Sequence, residues 1–267
     1  MLNGSKFRWT VSSAMLMVLA MAGCNRKPLP KTGADDSGQT TSQGVRYTKV
    51  DPATSGTVTG TVHFSGQAPE RIAIDMAQDP ACGLNNSAPN MTQQVVVHNG
   101  GLANVFVYVK DGLGNQMYMP TKTAVVLDQK GCRYVPHVVG AMVGQPIEFR
   151  NSDPTMHNVH VVPLDGQDGA GLDISQPPMG GTQQHAFRHA GLMVPVRCNN
   201  HPWMEAFLNI VDNPFFAVSG ADGKFTISGL PPGQYTLVAV QEKFGALTKA
   251  ITVQKQKTTN ADFTFSK

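Results

Sequence analysis

The chain has 267 residues, 41% of them hydrophobic and 15% charged, with 21 Lys and Arg against 18 Asp and Glu and a formal net charge of +3. Lys6 and Arg8 fall within the first 23 positions, so the remainder carries 19 basic and 18 acidic side chains, too balanced for a phosphate-rich partner, and no nucleic-acid binding is expected. The length suffices for one large or two small domains with real cores.

At the N-terminus, Lys6 and Arg8 precede an apolar run from Val11 to Ala22 that ends in Gly23 and Cys24. A run of about a dozen residues is too short to cross a bilayer, which takes roughly 20, so it reads as an export signal. Met21-Ala22-Gly23-Cys24 resembles a bacterial lipobox, with Met21 where that family usually has Leu. The resemblance implies a signal peptide over 1–23, diacylation of Cys24, and a membrane-anchored protein on the periplasmic or cell-surface side of a bacterial membrane. Asn25 is compatible with outer-membrane sorting. An ordinary signal peptide cut nearby is the alternative. Residues 24–55 are rich in Gly, Ser, Thr, Lys, Asp and Pro and lack an apolar period, as a flexible linker does.

Beyond the linker, short β-branched runs bounded by Gly, Pro, Asn and Asp recur, and helical periodicity is nearly absent. The chain is expected to be all-β, with strands near 57–64, 94–98, 105–110, 124–127, 146–150, 158–162, 192–197 and 207–211. Three cysteines remain, Cys82, Cys132 and Cys198. An odd count in an exported protein leaves one thiol for another use, and Cys82 with Cys132 is the expected disulfide because Cys198 lies in a metal-like cluster. Cys198 as a buried, inert thiol is the other reading.

In the last sixty residues, Asp222-Gly223 makes a hairpin turn, Phe225 and Ile227 alternate inward, and Pro231-Pro232-Gly233 turn the chain into a strand carrying Tyr235, Leu237 and Ala239. The stretch 221–240 closely resembles the carboxypeptidase-regulatory-like, transthyretin-like β-sandwich. That family opens with a G-x-V-x-G-x-V strand, and GTVTGTV stands far upstream at 56–62. A split module is implied, 56–111 and 213–267, with a second domain over 112–212 inserted; two tandem domains remain the alternative.

Two segments carry chemistry, FRNSDPTMHNVHVVP at 149–163 and VPVRCNNHPWMEAF at 194–207. A thiolate and two imidazoles, with a weaker thioether, suit copper passing between its two oxidation states. The segments resemble the cupredoxin family of plastocyanin- and azurin-like blue copper proteins over about 141–212. The resemblance implies a Greek-key β-sandwich with copper held by His157, Cys198, His201 and Met204. Strand alternation puts His157 with Val159 and Val161 and turns His160 the other way; His160 as the ligand would require a bulge. Only Pro202 and Trp203 separate His201 from Met204, a shorter spacing than most small blue copper proteins have, so Met204 reads either as a weak ligand or as core. The spacing is that of dinuclear copper loops, but position 194 is Val where those have a second Cys, so the site is expected to be mononuclear. Trp203 reads as a shield over the metal, a docking surface or plain packing. Asn151 and Asp153 are turn formers that brace the loop before His157, and His63, His98, His137, His185 and His189 read as structural.

No enzyme is expected: Arg197 and Asn199 flank Cys198 where multicopper oxidases place histidines, and no hydrolase motif is present. The leading reading is one-electron transfer with a redox partner protein. A copper carrier or buffer, and a structural surface protein without metal, are the alternatives.

Overall fold

In the strand Gly56–Ser65 the side chains alternate, with Val58, Val62 and Phe64 buried and His63 and Ser65 exposed. A period of two with one apolar face is what a half-buried strand requires. In the computed structural model, which describes residues 46–84, 86–162 and 171–267, this strand is the hub of one β-sandwich. It pairs antiparallel with Lys224–Leu230 and Gly101–Leu102, and in parallel with Thr258–Asn260 and Phe263–Ser266. The facing sheet runs in the order Phe216–Val218, Phe106–Asp111, Gly233–Gln241, Gly245–Val253. Val58, Val107, Phe225, Ile227 and Leu237 lie in the core between them. Residues from both ends of the described chain therefore build this sandwich. Gly223 takes a φ of 78° in the Asp222-Gly223 turn, a left-handed conformation that glycine adopts without steric cost.

The residues between form a second pair of sheets. One runs Leu172–Gln176, His157–Val161, Gly191–Arg197, Glu205–Val211, Val138–Met142, the other Gln183–Ala186, Pro146–Asn151, Val125–Gln129, Tyr134–Val135. Each contains one parallel pair, Glu205–Val211 with Val138–Met142 and Val125–Gln129 with Pro146–Asn151, among antiparallel ones. Leu127, Phe149, Val159, Val196 and Leu208 fill the space between. The fold is nearly all-β; among the described residues helix occurs only at Pro80–Leu84.

Three departures from the sequence expectation have local causes. The strand expected over 94–98 is reduced to Val97–His98, because the carbonyls of Gln93 and Gln94 accept side-chain hydrogen bonds from Asn104 and Gln241. Val138–Met142 is a strand that the sequence pattern does not mark, since Gly140 interrupts its apolar run. Residues 46–55, read as linker, lie on the first sandwich: the Thr48 N–H donates to the Met117 carbonyl at 2.7 Å and Val50 packs on the core. Cys24 and the export signal lie outside the described residues. No helix among the described residues is long and apolar enough to cross a membrane.

The two sandwiches share a small apolar seam of Phe106, Val138, Phe207 and Val211 with Phe216 against it. Beside it, His137 Nε2 meets Glu242 Oε1 at 2.9 Å, with both side chains buried. Gly140 makes the seam possible, because a Cβ there would stand 2.6 Å from the Phe106 ring and 2.8 Å from the Phe216 ring. Gly140→Ala should therefore destabilise the chain by about 1–3 kcal/mol through overpacking, read as a lower midpoint in urea. A wild-type midpoint would mean that the rings move aside freely.

Candidate metal centre

Register brings the two motif halves together. Val196 pairs with Val161 and Arg197 with His160, so Cys198, one step beyond its strand, arrives beside the start of His157–Val161. There the Asn158 N–H donates to Cys198 Sγ at 3.3 Å. The chain then turns tightly: the Met204 N–H donates to the His201 carbonyl at 2.9 Å and the Cys198 N–H to the Met204 carbonyl at 3.4 Å. This turn swings His201 back over the thiol, with Nδ1 3.6 Å from Sγ and 2.9 Å from His157 Nδ1. One ligand atom from each of His157, Cys198 and His201 lies within 4.8 Å of the others. His157 is 0%, Cys198 3%, His201 3% and Met204 1% exposed, so bulk water does not reach the cluster.

Of the other residues singled out in the sequence, Met204 is packed in the same core as Cys198. His160 stands apart, half-buried, with Nδ1 3.1 Å from Asn199 Oδ1. Trp203 packs on that core, its ring 5.1 Å from the His201 ring, and its indole N–H donates to the Cys132 carbonyl at 3.2 Å. Cys82 and Cys132 are joined by a disulfide.

Two carboxylates hold the imidazoles. Asp153 Oδ2 accepts from His157 Nε2 at 2.8 Å, and Asp79 Oδ2 from His201 Nε2 at 2.9 Å. A carboxylate only accepts, so each Nε2 carries the hydrogen and each neutral ring turns a lone pair at Nδ1 toward the other. Two lone pairs 2.9 Å apart repel unless a proton or a cation lies between them. This carboxylate–histidine pairing is also how metal-binding imidazoles are oriented and made more basic. The donor set fits a metal that accepts soft sulfur together with imidazole.

A proton can also relieve that repulsion, and the acid–base balance favours it. Burial pushes the Cys198 thiol up, but hydrogen bonds from His157 and from the Asn158 N–H outweigh it and bring the thiol to about 7. Burial pulls His157 down, yet Asp153 and Cys198 together raise it to about 9. Asp153 is itself raised by burial, but His157 and the N–H groups of Cys132 and Gly131 bring it below the usual carboxylate range. Asp79 is lowered as well, chiefly by His201. A thiolate–imidazolium pair results, flanked by carboxylate.

Neither carboxylate is assigned to the site by the sequence pattern. Asp153 sits four residues before His157 and reads there only as a loop brace, a role it also fills: its N–H donates to Asn151 Oδ1 at 3.0 Å, while Asn151 Nδ2 donates to the carbonyls of Thr155 at 2.9 Å and Pro177 at 2.8 Å. Asp79 lies 122 residues from His201. Its sole local signal is a helix cap, with Oδ1 accepting the Ala81 N–H at 2.8 Å ahead of Pro80–Leu84.

A model of the carboxypeptidase regulatory-like domain matches residues 204–266, from the end of the ligand turn to the last strand. Among solved structures, the chain resembles the Cu-containing nitrite reductase NirK from Thermus scotoductus SA-01 at 20% identity and a TM-score of 0.31, over 40% of this chain and 25% of that one. It also resembles a methionine-to-alanine mutant of amicyanin in its Cu(I) form, at 23% identity and a TM-score of 0.29, over 33% of this chain and 81% of that one. A proline-to-phenylalanine mutant of amicyanin in its reduced state matches at 19% identity and a TM-score of 0.30, over 39% and 97%. The chain thus spans about a quarter of the nitrite reductase. No curated protein matches it.

Two expectations follow for the metal-free protein. His157 holds its proton more tightly folded than unfolded, so its contribution to stability is complete below its ordinary 6.5 and is lost as the pH rises through about 9. Cys198 is the reverse, contributing fully above its ordinary 9.0 and losing that contribution as the pH falls through about 7. Between these values the two slopes oppose in the wild type. Cys198→Ser removes the second and leaves the part of the first that Asp153 supplies, so its stability to urea should drop by about 1 kcal/mol from pH 7 to 9 while the wild type changes less; equal slopes would rule out the thiolate–imidazolium pair. Replacing Cys82 and Cys132 together by Ala should cost about 2–4 kcal/mol of stability. It should also weaken metal binding at pH 7 by at least about tenfold, because Asp79 is then no longer tethered beside His201. Unchanged affinity by competition with a chelator would show the tether to be irrelevant to the site.

Proposed function

We propose that this protein is a mononuclear copper protein that passes single electrons, with His157, Cys198 and His201 as ligands and Met204 as a weak fourth. The observation that carries the reading is the pair of Nδ1 atoms facing each other at 2.9 Å beside the Cys198 sulfur, each ring fixed from behind by a carboxylate. Copper bound there would supply a centre that alternates between its +1 and +2 states. The chain's own part is to hold three donors on a rigid sandwich, so that little has to move when the charge changes, and to exclude water.

Burial favours electron transfer over carriage, since a carrier must release its metal to a partner's ligands and all four residues here are at most 3% exposed. Burial also argues against Cys198 as a catalytic nucleophile activated by His157 and Asp153, because a substrate could not reach Sγ. His201 is the ligand that borders the surface, in a groove lined by Asp79, Pro80, Thr155, Met156 and Asn200. A redox partner protein would approach there. The lipobox resemblance at Cys24 supports an anchored protein facing the periplasm or the cell exterior, which suits exchange with other membrane-bound carriers.

Titration with Cu(II) should give one equivalent of binding and an intense visible thiolate-to-copper band. Cys198→Ser and His157→Ala should abolish the band, and His160→Ala should leave it nearly intact. Met204→Leu should retain copper and raise its reduction potential, because losing a sulfur donor disfavours Cu(II) more than Cu(I). A band that survives Cys198→Ser would place copper elsewhere and end this reading.

A further inference from the structure

The two ends of the second sandwich differ in character. Its strands Val138–Met142 and Glu205–Val211 run parallel and both start beside the ligand turn, where His137 Nδ1 meets the Glu205 carbonyl at 3.2 Å. Glu205–Val211 is seven residues long, and at a rise of about 3.3 Å per residue its far end lies roughly 20 Å from that turn. There the Val143 N–H donates to the Val211 carbonyl at 2.9 Å, and the Gln145 side-chain amide donates to the Thr123 carbonyl at 3.0 Å, which brings the segment 116–123 to this end. Within it Tyr118 is 5% exposed and packs edge-on against Phe215 at 5.0 Å, while Met117 and Met119 on either side of it are 51% and 64% exposed. The Met117 carbonyl accepts the Thr48 N–H at 2.7 Å, so Tyr47, 38% exposed, joins them.

Around these apolar side chains the charge has one sign. The stretches 46–49 and 116–122 hold Arg46, Lys49 and Lys122, all exposed, and no Asp or Glu. Asp51, the next acidic residue along the chain, turns its carboxylate to the Ala53 N–H and the Thr54 hydroxyl, both at 2.9 Å. Met156, exposed at the His201 groove, has Asp79 beside it instead. A phenol and two thioethers flanked by cations suit an anionic bilayer surface, where an amphipathic ring sits at the level of the headgroups and Lys and Arg meet lipid phosphates. The described chain enters the patch at Arg46, and 21 residues, 25–45, separate Arg46 from Cys24. At no more than about 3.6 Å per residue, that length keeps the patch within roughly 75 Å of an acyl anchor, so even a weak contact is made at high effective concentration. We propose that this end of the protein lies on an anionic phospholipid surface, with Tyr47, Met117 and Met119 among the headgroups and Arg46, Lys49 and Lys122 against the phosphates, and that the ligand turn faces away from the membrane. This placement rests on acylation at Cys24, as proposed above, and not on copper.

Lipids with brominated acyl chains quench tryptophan at close range and so report which end of the protein meets the bilayer. In the processed chain Trp203, beside the ligand turn, is the sole native tryptophan, since Trp9 precedes Cys24. The mass of the N-terminal peptide first establishes that Cys24 is acylated. In vesicles of phosphatidylglycerol and brominated phosphatidylethanolamine, Met119→Trp, checked for a wild-type circular dichroism spectrum, should lose most of the emission it adds, and Trp203 of the wild type should lose none. Replacing phosphatidylglycerol by phosphatidylcholine should weaken the quenching at least about twofold, because the anchor stays while the lipid charge is removed. An acylated Met119→Trp chain that is not quenched leaves the patch to another occupant, such as a partner protein or a second copy, and overturns the proposal. Quenching of Trp203 in the wild type overturns it as well, a measurement that needs no variant to fold, and so does equal quenching of Met119→Trp in phosphatidylcholine. A Cys24 without acyl chains overturns the anchor itself, and the peptide mass tells that failure from the others. Copper binding is affected by none of these outcomes.

Discussion

The Cys82–Cys132 disulfide is the constraint on which the arrangement of the site depends, because Cys132 is tied by every part of itself. Its sulfur holds Cys82, its N–H donates to Asp153 at 2.8 Å, and its carbonyl accepts the Trp203 indole N–H at 3.2 Å. Through Cys82 it also fixes the short helix whose cap, Asp79, reaches His201. A closed ring results: Asp79, the helix, the disulfide, Asp153, His157, and His201 back to Asp79. No single hydrogen bond in that ring is strong in net terms, but each is made between groups that the others have already ordered, so little further entropy is lost in forming it.

The ring also sets the chemistry. By fixing both Nε2 atoms as donors it commits both Nδ1 atoms to face inward, next to a thiol brought down to about 7. In a dry pocket such a set of lone pairs and charge cannot be left uncompensated, and either a proton on His157 or a soft cation supplies the compensation. Asp153 raises the basicity of His157, and both carboxylates stay outside the pocket, so orientation and charge are supplied without adding oxygen donors. The turn 198–204 has two distinct sides. Inward it presents sulfur and imidazole, and outward Pro202 and Trp203 line a cavity.

The position of this ring within the fold has a topological origin. Asp79 and Cys82 follow the strand Gly56–Ser65, which is hydrogen-bonded to the C-terminal strands, whereas the ligands belong to the pair of sheets between. A chain that leaves one sandwich, builds another and returns must cross their junction. Loops at such a crossing are held at both ends by rigid sheets, which is why they can carry precise geometry despite having no regular structure of their own.

What the sequence determined by itself were features whose signal is local or repeats with the period of a strand. Alternation made the chain legibly all-β, and the two motif halves singled out His157, Cys198, His201 and Met204, whose spacing within each half is short; Asp222-Gly223 marked a turn but not the expected hairpin, because the strands on either side of it, Phe216–Val218 and Lys224–Leu230, pair into different sheets. Alternation also separated His157 from His160, since a single step along a strand reverses the face. Tertiary structure decided what depends on contacts across long separations. Asp79 meets His201 over 122 residues with nothing in either segment to mark the pairing. Asp153 turns from brace to partner only because its carboxylate is aimed at His157 by the N–H groups of Gly131 and Cys132. Gly140 breaks an apolar run in the sequence, yet in the fold its missing side chain leaves room for the rings of Phe106 and Phe216 against the backbone.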